Sequence, residues 1–252
     1  MNILVCVKRV PLTGGKITLT EDAQAIQTRH LGFTVSPHEE CAAEEAIRLV
    51  EQHGGSSAVL TLGPPGAEEQ LRDMMAIGID RGIHLITDGG EWDPQATAAA
   101  MVAAIGAEAE PFDLLLFGTE SADAGNYQVA IRVAAALGLP CVNGIKGISM
   151  NDGALRCEQA VAGGRDVYDV PMPAVVTVKE GINLPRYPSV PGRMRAKRKP
   201  VAASQPARST ARLPMIRLVL PESASKQAEL LGHGADAAPR VVEILTEIGV
   251  MP

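Results

Sequence analysis

The feature that most constrains this chain is an apolar run, residues 112–117, that halts at Gly118 and gives way to small and polar residues. Those residues lead into an Ala-rich segment, residues 129–137, with helical spacing. A short run of this kind is what a strand buried on both faces looks like. The order is therefore strand, glycine-containing loop, helix. Earlier segments repeat it. Apolar residues 2–7, 57–62 and 81–86 alternate with helical patterns that open at Ser36-Pro37, Ala67 and Asp93-Pro94. Gly54-Gly55 and Gly78 close the first two of those helices. Such alternation predicts an α/β fold: an open, mostly parallel, twisted sheet with helices on both faces and right-handed crossovers.

After Pro140 the rhythm changes. Residues 143–150, 154–161 and 165–170 predict a small antiparallel extension joined by tight turns at Asp152-Gly153 and Gly163-Gly164. Residues 174–178 are apolar and should return to the sheet. A short strand is expected in an excursion at residues 16–19. The core is expected to span residues 1–185. Residues 186–252 form an extended C-terminal arm rich in Pro, small and basic residues, with one possible strand at 215–220 and one amphipathic helix at 237–248.

Composition narrows the function. Aromatic residues make up only 3% of the chain, so the core must be built from Ala, Val, Leu and Ile. No apolar run approaches the ~20 residues of a membrane helix, and residues 2–7 enter a strand directly. The expectation is a cytoplasmic chain with no membrane insertion. Cys6, Cys41, Cys141 and Cys157 form no C-x-x-C pair, which disfavours a metal site, an iron–sulfur cluster or a disulfide framework. The net charge is −6, yet nine Lys/Arg and no Asp/Glu lie between Arg186 and Arg217. That basic stretch has three readings: a nucleic-acid contact, a solvated surface, or the flank of a protein-docking loop. Without interleaved aromatics or a reading helix, nucleic acid is the least favoured.

In an open α/β sheet the loop after Gly118 lies at the carboxyl edge, where ligands bind. The start of the following helix offers free N–H groups and partial positive charge, which suit a phosphate. Asp123, Asn126 and Gln128 are the side chains expected around such a ligand; the competing reading is an ordinary loop whose Asp or Asn caps the helix. His84, mid-strand, reads as a core histidine rather than a catalytic one. No nucleophile elbow, H-E-x-x-H or Walker A pattern occurs, and G-x-G-x-x-G is missing after the first strand. The sequence offers a nucleotide-type pocket with no catalytic residues, so binding rather than turnover is expected.

A family resemblance sharpens this reading. The segment Gly181-Ile-Asn-Leu-Pro-Arg-Tyr-Pro-Ser-Val-Pro-Gly-Arg-Met-Arg-Ala-Lys-Arg-Lys-Pro200 resembles the N-x-P-R-[YF]…M-x-A-K-[KR]-K segment of electron transfer flavoprotein β subunits. The opening Val5-Cys-Val-Lys-Arg-Val-Pro11, the helix start at Ser36, Gly78-Ile-Asp-Arg-Gly-Ile-His-Leu85 and the loop after Gly118 resemble it in place. The resemblance implies a heterodimer with an α subunit that holds most of an FAD, and an AMP bound structurally in this chain. In bifurcating relatives a second FAD occupies the same pocket. A stand-alone adenine-nucleotide sensor is the alternative outside the family.

Carried over, the nucleotide site comprises Cys6, Ser36, Pro37, His38, Glu39, Leu62 and Gly118-Thr119-Glu120-Ser121-Ala122-Asp123-Ala124-Gly125-Asn126-Tyr127-Gln128-Val129. The recognition loop for acyl-CoA or other dehydrogenases, and for a quinone oxidoreductase-type acceptor, comprises Arg186-Tyr187-Pro188-Ser189-Val190-Pro191-Gly192-Arg193-Met194-Arg195, with Val190 at the anchor position. His38 is the candidate flavin neighbour. The family's loop often has G-K-Q-A-I-D; here Thr119 and Glu120 replace the lysine and glutamine.

Overall fold

The computed structural model of the chain describes residues 1–14, 17–151, 153–213, 215–221 and 229–251. In chain order its elements are β1 (Asn2–Val7), β2 (Val10–Pro11), β3 (Phe33–Thr34), α1 (Pro37–His53), β4 (Ser56–Gly63), α2 (Glu68–Ile77), β5 (Arg81–Ile86), α3 (Pro94–Gly106), β6 (Leu114–Gly118) and α4 (Val129–Leu137). Then follow β7 (Cys141–Asn151), β8 (Ala154–Val161), β9 (Gly164–Val170), β10 (Ala174–Val178), α5 (Val190–Ala196), β11 (Val201–Ser204) and α6 (Ala238–Glu247).

Nine strands form one sheet in the order β11-β5-β4-β1-β6-β10-β7-β8-β9. From β11 to β7 every neighbouring pair is parallel; β7–β8 and β8–β9 are antiparallel. This is the α/β architecture expected from the sequence. Side chains alternate across each strand and so separate into two cores. Ile3, Val5, Leu114, Leu116 and Val176 pack with Ala42, Ala46 and Leu49 of α1 and Leu71 and Met75 of α2. Leu4, Cys6, Leu60, Leu115, Phe117 and Val175 pack with Ala96, Ala100 and Met101 of α3 and Ala130, Val133 and Ala134 of α4. Small alanines on the helices let them lie close to the branched strand residues.

Several elements differ from the sequence expectation. The run at 143–150 belongs to a longer strand with two roles. Cys141, Val142 and Ile145 of β7 pair in parallel with β10, whereas residues 147–151 pair antiparallel with β8. Of the strand expected at 16–19, residue 16 lies outside the described residues, and Leu19 makes one isolated bridge to Ile26. No strand forms at 215–220.

The largest difference lies past residue 185, where the core was expected to close. α5 packs beside α2, and β11 adds to the sheet edge at β5, with Val201 opposite Gly82. One compact unit therefore runs from Met1 to Arg217, and a second from Leu218 to Pro252. Within the second unit, α6 is an amphipathic helix whose Arg240 pairs with Glu243 at 2.9 Å. Among the described residues no helix is long and apolar enough to cross a membrane.

Candidate functional site

Strand order decides where a ligand edge forms. From β1 the chain steps outward to β4 and β5, then crosses back to place β6 on the other side of β1. In open α/β sheets the connections on either side of such a reversal diverge and ligands bind at the carboxyl ends of the strands, here the ends of β1 and β6. The end of β1, residues 36–39 and the loop 118–128 converge there.

Gly118 is where the two sides meet. A Cβ at this position would stand 2.7 Å from Glu39 Cγ and 3.1 Å from His38 Cβ, so only glycine lets the end of β6 pass the start of α1. Ser36 caps α1 with Pro37 in its first turn. The Glu39 carboxylate reaches back, Oε2 accepting from the Ser36 amide at 3.1 Å and Oε1 from the Lys8 amide at 3.0 Å. Ser36 Oγ in turn accepts from the Ala122 amide at 2.9 Å, which fastens the loop to the helix start. His38 Nε2 lies 3.8 Å from Glu120 Oε1, and its Nδ1 is buried with no hydrogen-bond partner among the described residues.

The remaining loop residues divide by role. Thr119 turns toward β10, where its hydroxyl donates to the Val178 carbonyl at 3.0 Å. Asp123 is a brace: Oδ1 accepts from the Ala124 amide at 2.7 Å and Oδ2 meets Lys8 Nζ at 2.8 Å. Ser121 accepts through its carbonyl from Gly125 at 3.0 Å. Gly125 and Tyr127 take left-handed backbone angles and turn the chain into α4, leaving Asn126 and the Tyr127 ring exposed. Gln128 stands at the start of α4, which no side chain caps. Cys6, Leu62 and Val129 face the α3–α4 core rather than this edge. Cys6 is buried and its thiol is pushed up by burial and then by Glu39, so it is an inert core group.

Two residues that the sequence does not single out belong to this site: Lys8 and Glu91. Lys8 Nζ bridges Asp123 and, at 2.7 Å, Glu91 Oε1. Burial alone would lower its pKa, but the two carboxylates outweigh that and raise it. Burial works the other way on Asp123, and Lys8 still holds its carboxyl below the usual range. At Glu39 burial outweighs the amide hydrogen bonds from Lys8 and Ser36 and the Lys8 charge, and pushes its carboxyl up to about 8. The signal that could have found Lys8 is its place one residue beyond a buried strand, at the carboxyl edge.

A cavity of about 480 Å³ opens elsewhere, inside the excursion between β2 and β3, lined by Thr13, Thr18, Arg29 and His30 among others. None of the sequence-predicted site residues lines it.

The segment 186–195, expected to be a recognition loop, is held down by its own charges. Arg186 forms a bidentate pair with the buried Glu44, both contacts at 2.9 Å, and reaches Glu51 at 2.7 Å. Those two partners raise its pKa. Arg193 pairs with Asp73 at 3.0 Å. Lys199 donates to the carbonyls of Met75, Gly78 and Ile79, closing the C-terminal end of α2. Ser189 caps α5, and Gly192 lies so close to α2 that a Cβ would meet the Ala76 carbonyl oxygen. Among the residues that face outward are three apolar or aromatic ones: Leu184 is 91% exposed, Tyr187 95% and Val190 77%. The basic run is thus partly a set of internal staples, and its surface displays a hydrophobic knob beside the exposed Arg195, Lys197 and Arg198.

Parallel strands reversing at β1, with helices on both faces and a loop-rimmed edge at the reversal, define a doubly wound α/β protein. The family model for the electron transfer flavoprotein domain matches residues 25–209. The chain is 32% identical to the electron transfer flavoprotein subunit beta of Bacillus subtilis (strain 168), across 97% of each chain. It is 36% identical to the subunit of that name from Syntrophomonas wolfei, across 88% of this chain and 86% of the relative, and 31% identical to that of Bradyrhizobium diazoefficiens over the whole of both. The chain belongs to the electron transfer flavoprotein family, among its β subunits.

Proposed function

We propose that this chain pairs with an electron transfer flavoprotein α subunit, holds AMP as a structural ligand at the β1–β6 edge, and supports an FAD held mainly by the α subunit. The observation that carries this reading is the uncapped start of α4 at the strand-order reversal. Its first amides have no partner within the helix, and they suit phosphate oxygens. The buried Nδ1 of His38, which has no partner among the described residues, adds a second argument, because a buried ring nitrogen calls for a donor or acceptor. The α4 amides would suit an adenine nucleotide's phosphate, and His38 would suit a polar group of a bound cofactor.

A bound flavin supplies the one- and two-electron chemistry. The residues of this chain bind and orient. Glu39 and Ser36 tie β1, α1 and the loop into one rigid wall. Lys8 joins that wall to Glu91. The knob formed by Leu184, Tyr187 and Val190 docks acyl-CoA or other dehydrogenases, and a quinone oxidoreductase-type acceptor, by apolar contact.

Co-expression with an α subunit, followed by acid extraction and chromatography, tests the reading. The expected result is one AMP per heterodimer beside the FAD. A heterodimer that yields no adenine compound except FAD overturns the structural-ligand claim.

A further inference from the structure

β11 is parallel to β5, so the chain leaves it at the carboxyl end of the sheet. The next residues stay at that end, held by the segment that follows β5. Arg208 Nη2 donates to the Glu91 carbonyl at 2.6 Å, and its guanidinium lies 5.5 Å from the centre of the buried Trp92 ring. Asp93 divides its carboxylate between two tasks. Oδ1 accepts from the Ala96 amide at 2.6 Å and caps α3, while Oδ2 accepts from the Arg212 and Leu213 amides at 2.7 and 3.1 Å. Farther on, Gln24 Nε2 donates to the Ile216 carbonyl at 2.8 Å, which ties the same stretch to the excursion between β2 and β3.

Glu91 stands between two partners. Its carbonyl holds Arg208, its carboxylate holds Lys8 Nζ at 2.7 Å, and Lys8 Nζ meets Asp123 at 2.8 Å. Asp123 in turn accepts from the Ala124 amide at 2.7 Å. A continuous line of charged contacts therefore joins residues 208, 91, 8 and 123, which are far apart in the chain. An ion pair as exposed as Glu91 is weak by itself. Lys8 is half-buried, however, and both carboxylates serve it, so losing one leaves the ammonium short of a partner.

We propose that residues 205–213 are a latch, and that its seating on Glu91, Trp92 and Asp93 sets the position of the loop 118–128 through Lys8. The same stretch leads into the second unit, which begins at Leu218, so the latch joins the arm to the β1–β6 edge. The coupling is a property of this chain's own contacts and does not depend on which ligand the edge takes.

Hydrogen exchange on the full chain, read by mass spectrometry over peptides covering 118–128 and 205–213, tests the latch. The emission of Trp92, the one tryptophan in the chain, reports its seating. Arg208→Met removes the carbonyl contact and the cation beside the indole. Exchange in 205–213, where Asp93 holds the Arg212 and Leu213 amides, is expected to quicken by about tenfold, the loss of one hydrogen bond from a charged group. Trp92 emission should move to longer wavelength. Exchange in 118–128, where Ser36 Oγ holds the Ala122 amide, should quicken by about two- to fivefold, the worth of one partly exposed ion pair. Glu91→Ala removes the carboxylate and keeps the carbonyl that Arg208 uses. It should quicken 118–128 to the same extent while 205–213 and the Trp92 emission stay at wild type. Adding Arg208→Met to Glu91→Ala should then leave the loop where Glu91→Ala put it. An Arg208→Met variant that frees 205–213 but leaves 118–128 at the wild-type rate overturns the coupling, as does a double variant whose two effects on the loop multiply. An Arg208→Met variant that changes neither segment overturns the latch itself.

Discussion

Replacing Gly118 by alanine probes how tightly the end of β6 is joined to the start of α1. The new Cβ would stand 2.7 Å from Glu39 Cγ and 3.1 Å from both the Glu39 amide nitrogen and His38 Cβ. Carbon atoms rest at about 3.5–4.0 Å, so something must yield by close to ~1 Å. Glu39 cannot swing aside without cost, because its two oxygens hold the Lys8 and Ser36 amides at 3.0 and 3.1 Å. If the side chain stays and the backbone shifts, the overpacking costs about 1–3 kcal/mol. If the side chain leaves, two amides lose their acceptor at about 1–3 kcal/mol each. The two routes together bracket a loss of roughly 1–6 kcal/mol, read from urea unfolding of the purified chain. Gly106, the last residue of α3, is the control: a Cβ there meets nothing within 4 Å. Gly106→Ala should be neutral or stabilising by up to about 1 kcal/mol, the helix propensity difference. A Gly118→Ala variant with an unchanged unfolding midpoint, or one no worse than Gly106→Ala, would refute the close approach.

Two further predictions follow from the same geometry. Burial pushes Glu39 up to about 8 from an ordinary 4.5, so the folded chain keeps a proton there that the unfolded chain releases. The stability that Glu39 contributes is therefore complete below about pH 4.5 and declines as pH rises toward 8, by up to about 1.4 kcal/mol per unit. Glu39→Gln should lose stability at low pH and recover relative to wild type as pH rises; a wild-type-minus-variant difference that is flat from pH 5 to pH 8 would contradict this. At the knob, Val190→Asp places a charge on a side chain that is 77% exposed and not part of the core. Electron transfer to or from a dehydrogenase partner should slow by about tenfold or more, the cost of desolvating an unpaired carboxylate in an apolar contact, while the unfolding midpoint stays at wild type. Unchanged transfer kinetics would remove Val190 from the docking surface.

Much of the architecture is written locally. The apolar runs of β1, β4, β5 and β6, the Ser36-Pro37 and Asp93-Pro94 helix starts, and the glycine that ends β6 act through periodicity, capping and backbone freedom over a few residues. Each is legible without knowing what lies beside it. The carboxyl-edge position of the loop 118–128 follows from the same alternation, because crossover rules leave few topologies for it. What the tertiary structure alone decides depends on which distant segments become neighbours. Nothing in Val201-Ala-Ala-Ser204 announces a strand; it becomes one because β5 offers an unpaired edge. Arg186 and Lys199 look like a displayed basic surface until Glu44 and the α2 carbonyls come within reach. Asp123 reads as a ligand until Lys8 takes it, and Glu39 reads as an ordinary first-turn acid until burial raises its pKa. Charge pairing and desolvation are properties of three-dimensional surroundings, so the chain order that specified the strands was silent about them.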